Sequence, residues 1–171
     1  MARLSLELFD QTRELHGLDD EAREQLEAGA LLHDIGEHVA HEGHDRHAAY
    51  LVAHGQLRGF SPEEIAIVTA LVRWHRRGDP KGSDDLVGDL DHEQRDLVRK
   101  LAALLRIADG LDRSRKQVVR HVTARVSPSL VLLRCSTRGD PELELWGARR
   151  KRELFERTFD RELELTAHPS G

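Results

Sequence analysis

The spacing of apolar residues divides this chain in two, and that division constrains the fold more than any other feature. From Leu4 to Leu111 apolar side chains recur every three or four residues, the period of a helix face. From Val118 onward β-branched residues cluster and alternate with polar ones, the pattern of strands. Such a chain is mainly α: a helical bundle over residues 1–117, followed by a small α+β subdomain over 118–171.

Local signals place the elements. Leu4, Leu8, Phe9 and Leu15 share one helical face, and Gly17 closes it. Asp19 and Asp20 offer N-caps for a helix carrying Ala22, Leu26, Ala30 and Leu31, which stops near Gly36. Residues 37–45 are polar and His-rich and read as a loop, and a third helix follows through Ala48, Ala49, Leu51 and Val52 to about Gly55. Ser61-Pro62-Glu63-Glu64 combines a cap, a proline at the first helical position and the acid of a capping box. That helix runs to about His75 and gives way to a loop over 78–89. Asp91 and Gln94 cap a long helix whose face holds Leu97, Leu101, Leu104, Leu105 and Ala108. Strands are expected at 119–126, 130–136 and 142–146, an amphipathic helix at 147–159, and a last strand at 161–166.

Composition matters for what it excludes. One cysteine in 171 residues, Cys135, leaves no intrachain disulfide and no thiolate zinc cluster. Its apolar strand makes it a core residue. The N-terminal residues lack a signal-peptide pattern, and no apolar run approaches the roughly 20 residues of a membrane span. A cytoplasmic protein with no membrane partner is expected. A formal net charge of -5 speaks against a specific nucleic-acid partner.

Eleven histidines are the unusual entry. The pair His33-Asp34, near a helix end, supplies an imidazole and a carboxylate for one divalent metal. Asp109 interrupts the apolar pattern of the long helix, and a carboxylate in such a place calls for a cation or hydrogen-bond donors. With His47 and His75, these residues make a set able to hold two metals. The mixed nitrogen and oxygen donors suit manganese, iron, magnesium or zinc. Arg73, Arg76, Arg77 and Lys81 flank His75, and Arg106, Arg113, Arg115 and Lys116 flank Asp109, which fits an anionic, phosphate-bearing substrate. His16, His92, His121 and His168 read as surface residues, as do the loop histidines 38, 41 and 54. His44 takes no assigned role.

Several ordered motifs resemble one family. They are Ala30-Leu31-Leu32-His33-Asp34-Ile35-Gly36, the run His41 to Leu51, Gly59-Phe60-Ser61, Leu71-Val72-Arg73-Trp74-His75-Arg76-Arg77 and Leu105 to Ser114. Leu143-Glu144-Leu145-Trp146 and Leu154-Phe155-Glu156 extend them. Together they resemble the C-terminal half of the exopolyphosphatase and guanosine-pentaphosphate phosphatase (Ppx/GppA) family. The resemblance implies an HD-type helical domain with the α+β subdomain behind it. It also implies that the family's polyphosphatase chemistry belongs to actin-like domains N-terminal to this region. HD phosphohydrolases use one further histidine on the first helix. The chain begins at Met1, about where that ligand should already have passed, so His47 and His75 are expected to compensate for it.

Two functions follow from the resemblance. The first is a metal-dependent phosphohydrolase acting on a nucleotide or other phosphate ester through a metal-activated water. In it His33, Asp34 and Asp109 are catalytic ligands, His47 and His75 assist, and Arg73, Arg76 or Arg106 neutralises phosphate. The second is a non-catalytic module that binds polyphosphate or a guanosine polyphosphate, or that forms a homodimer.

Overall fold

Each helix forms where the apolar stripe runs and stops at a group that satisfies its end. A computed structural model of the chain describes residues 1–78 and 84–170. Lys81 and part of the loop expected over 78–89 lie outside them. Helices α1 (Ala2–Gln11) and α2 (Arg13–His16) share the first stripe, and Gly17 closes it with φ of 64°, a conformation glycine adopts without strain. Helix α3 (Asp20–Leu32) leads into a 3-10 turn at Ile35–His38, and α4 (His44–His54) follows. The expected loop at 37–45 is therefore shorter, because the 3-10 turn takes its first residues and α4 its last. Helix α5 (Pro62–Trp74) carries the full capping box: the Glu64 amide donates to Ser61 Oγ at 3.2 Å, and the Ser61 amide donates to Glu64 Oε2 at 2.6 Å. Asp91 and Gln94 make the same reciprocal pair ahead of α6 (His92–Leu111).

The residues group into two compact units, one of Asp20–Ala102 and one of Met1–Asp19 with Ala103–Gly171. In the first, Ala48, Ala49 and Val52 of α4 meet Val68 and Val72 of α5, flanked by Ala28, Leu32, Ile35, Leu57, Phe60 and Leu86. Small side chains let the helix backbones approach closely. At Gly36 the approach is closest, since a Cβ there would overlap the His44 carbonyl and the Ala48 amide. That contact seats the 3-10 turn against the first turns of α4.

The other unit contains the sheet. Strands β1 (Val119–Val126) and β2 (Leu130–Thr137) are antiparallel, while β3 (Glu162–Pro169) runs parallel to β2. A parallel return needs a long connection, and helix α7 (Glu142–Phe159) supplies it. Val122, Cys135, Leu133, Leu163 and Leu165 lie on the buried face, and α7 turns Leu154, Phe155 and Phe159 inward. Each of these large apolar side chains contributes roughly 1.5–3 kcal/mol by leaving water.

Two expectations fail in this unit. Residues 142–146 are helical, not a strand. Glu142-Leu143-Glu144-Leu145 alternates in sequence, but burial ignores the alternation: Glu144 is buried and accepts the Ser114 amide, while Leu143 and Trp146 stay half exposed. Asp140 accepts the Glu142 amide at 3.0 Å, and two acids in the first turn suit the helix start. His16 is buried, not on the surface. Its Nε2 lies 2.9 Å from the Phe9 carbonyl, and its Nδ1 accepts the Leu18 amide, which welds α2 onto α1.

Candidate metal centre

Helix ends leave carbonyls without partners, and histidines placed just beyond a helix end can use them. His33 follows α3, and its Nδ1 lies 2.8 Å from the Ala30 carbonyl. His75 caps the C-terminus of α5, with Nδ1 2.6 Å from the Val72 carbonyl. His44 opens α4, with Nδ1 2.9 Å from the His41 carbonyl. In all three the partner is the carbonyl three residues back. These contacts fix the orientation of each ring, with Nε2 on the side away from that carbonyl.

The three Nε2 atoms turn toward one carboxylate. Nε2 of His33 lies 3.0 Å from Asp34 Oδ2, and those of His44 and His75 lie 3.6 and 3.8 Å from Asp34 Oδ1. The rings of His33 and His75 meet edge to face at 5.2 Å, and those of His44 and His75 are 5.4 Å apart. All three histidines are buried, and Asp34 is partly exposed. Asp34, His44 and His75 offer ligand atoms within 4.8 Å of one another. The donor set thus fits a divalent metal, and the Nδ1 contacts would hold the imidazoles in place for one.

Charges beside the histidines fix the scaffold. The Arg73 guanidinium donates from Nη1 to Asp45 Oδ2 at 2.6 Å and from Nε to Asp84 Oδ2 at 3.0 Å. Asp45 follows His44 and Arg73 lies two residues before His75, so the bridge locks the start of α4 to the end of α5. Asp84 also accepts the Leu86 amide, which ties the following turn to the same bridge.

Of the residues singled out from the sequence, His33, Asp34 and His75 come together here. His47 lies on α4, half-buried, and neither it nor His33, which reaches Asp34 alone through Oδ2, is among the groups that bring three ligand atoms together in the described residues. Asp109 belongs to the other unit, where it forms an ion pair with Lys151 of α7. Arg73 is engaged by its two carboxylates, Arg76 is exposed with Nη1 3.5 Å from His44 Nδ1, and Arg106 is buried in α6. The residue that sequence reasoning missed is His44. Read as loop, it had no helix face, and only the early start of α4 gives it one. Cys135 is fully buried as expected, and burial pushes its thiol up to about 12.

Comparison with known proteins agrees with the motifs. The chain is 31% identical over 119 residues to a guanosine-5'-triphosphate,3'-diphosphate pyrophosphatase of Pseudoalteromonas atlantica, across 68% of this chain and 23% of that protein. It is 32% identical over 83 residues to the protein of the same name from Pseudoalteromonas translucida, across 48% of this chain and 16% of that protein. The chain thus spans about a quarter or less of the relatives it matches. Residues 1–133, which include the whole histidine cluster, match the family described as Ppx/GppA phosphatase, domain III, and the chain belongs to that family.

Proposed function

We propose that this chain is an HD-type, metal-dependent phosphohydrolase domain acting on a nucleotide or other phosphate ester. The observation that carries the reading is the convergence of the Nε2 atoms of three buried histidines on the Asp34 carboxylate, at 3.0, 3.6 and 3.8 Å. His33, His44, His75 and Asp34 would hold the ion. An imidazole-rich set favours zinc, iron or manganese over magnesium. A bound ion would supply Lewis acidity and a water of lowered pKa. The chain's own part is to hold the imidazoles through carbonyl contacts and to brace them through Arg73. Arg76, exposed beside His44, is the group suited to meet a phosphate oxygen.

The family membership supports a phosphate-bearing ligand, and the relatives named above act on a guanosine polyphosphate. No helix among the described residues is long and apolar enough to cross a membrane, and we read the protein as cytoplasmic. The test is metal analysis of protein purified without chelator, with a phosphate-ester panel. Bound metal and turnover that both fall in His33→Ala and Asp34→Asn would support the reading. Absence of metal, with turnover unchanged in both variants, would refute it.

A second reading rests on coverage. The chain matches 23% of its first relative, and a domain of that kind can bind a substrate for other domains. Salt-sensitive polyphosphate binding that survives chelation and His33→Ala would favour this non-catalytic role.

A further inference from the structure

A second set of metal-binding side chains lies beside the first and shares one residue with it. The ligand atoms of Glu37, His41 and His44 lie within 4.8 Å of one another, as do those of Asp34, His44 and His75. The His44 ring centre is 5.7 Å from that of His41 and 5.4 Å from that of His75, so it stands midway between the two sets. Exposure falls from the outer histidine to the inner ones. The side chain of His41 is 85% exposed, Glu37 29%, His44 5% and His75 1%. The outer set faces solvent through His41, whereas in the inner set both histidines are buried and Asp34 is 24% exposed.

We propose that Glu37, His41 and His44 form an outer divalent-metal site that captures the ion from solvent and passes it to the inner site through His44. The proposal rests on the inner site proposed above. His44 is the one residue common to both sets, and each set draws one ligand atom from its ring. Occupation of the two sets therefore competes for His44. An ion held at the outer set moves inward by exchanging Glu37 and His41 for Asp34 and His75 while keeping His44. The outer donors, two imidazoles and one carboxylate, select zinc, iron or manganese rather than calcium. The segment is also held in place. Val39 and Ala40 amides donate to the Gly36 carbonyl, and Gly36 packs on α4, so His41 and His44 keep a fixed relation. No covalent step is involved, only ligand exchange.

The experiment uses the full chain stripped of metal and the zinc ion alone as probe. Zinc uptake is followed in time against a competing chromogenic chelator, and zinc content is read at equilibrium. Circular dichroism checks the fold of each variant. His41→Ala and Glu37→Gln are expected to slow uptake several-fold while equilibrium content stays at the wild-type level. His75→Ala is expected to lose the tightly held ion and retain weak, fast binding. Wild-type uptake rates in both outer variants would overturn the proposal. So would a loss of equilibrium zinc in His41→Ala equal to that in His75→Ala, since His41 would then belong to the inner set. If His75→Ala keeps wild-type zinc while His41→Ala and Glu37→Gln lose it, the inner reading fails. The transfer falls with it, and only an outer metal site is left.

Discussion

Gly36 is small because two backbones meet there. A methyl group at this position would run into the carbonyl of His44 and the amide of Ala48, which no rotamer change relieves. Gly36→Ala is expected to cost about 1–3 kcal/mol in urea denaturation, and to weaken metal binding because His44 moves with α4. Cys135 offers a second test. Its thiol has no exposed surface, and its proton is held to about pH 12. A maleimide reagent should label it only on unfolding. The unfolded thiol ionises near 9.0, below the folded one, so the unfolded state holds fewer protons between pH 9.0 and about 12. This group's contribution to stability should therefore decline as pH rises through that window, and Cys135→Ala should flatten the decline in pH-dependent denaturation. Cys135 was legible in the sequence because an apolar strand announces burial. His16 was not, because its partners, the Phe9 carbonyl and the Leu18 amide, exist only once α2 folds back on α1.

Caps and edges govern the elements. The Ser61 capping box is readable in four consecutive letters, and Ser61→Ala is expected to cost about 0.5–2 kcal/mol by thermal or chemical denaturation. Strand edges are a different matter. The unpaired edge of β1 is closed by α1: Glu7 accepts the Val122 amide at 2.9 Å, Gln11 accepts that of Ala124, and Arg3 donates to the Val119 carbonyl. The edge of β3 is closed from α7, where Glu156 accepts the Leu163 amide and Arg149 donates to the Leu165 carbonyl. Unblocked edges invite pairing with other chains. Glu7→Ala should therefore lower stability by about 1 kcal/mol and raise concentration-dependent association in light scattering. Nothing in the local sequence marks Glu7 as a strand cover, since its partner lies 115 positions away.

At the scale of the molecule, the candidate centre draws its ligands from the end of α3, the start of α4 and the end of α5, all within Asp20–Ala102. Metal binding should therefore act locally. An ion at 100 times its dissociation constant stabilises the state that binds it by about 2.7 kcal/mol. Added zinc is expected to slow amide hydrogen exchange in α4, α5 and the 3-10 turn, and to leave β1–β3 nearly unchanged. Protection spread evenly over the sheet would contradict that placement. The sheet-bearing unit combines Met1–Asp19 with residues after Ala102, because α1 packs on β1. Reading along the chain shows where strand character begins at Val118, but it does not show which distant helix covers the sheet.

What the sequence determined by itself is local: helix and strand periods, the caps at Ser61 and Asp91, the buried thiol, and the motifs that place the chain in its family. These depend on residues within a few positions of one another, where backbone geometry alone sets who meets whom. The tertiary structure decided the rest. Glu142–Leu145 alternates like a strand yet joins a helix, because Glu144 is the side chain that finds a buried partner. His44, which had no assigned role along the chain, became the residue shared by two ligand sets because Gly36 lets α4 approach. Convergence of side chains distant in the chain is a property of packing, and packing is written in no single segment.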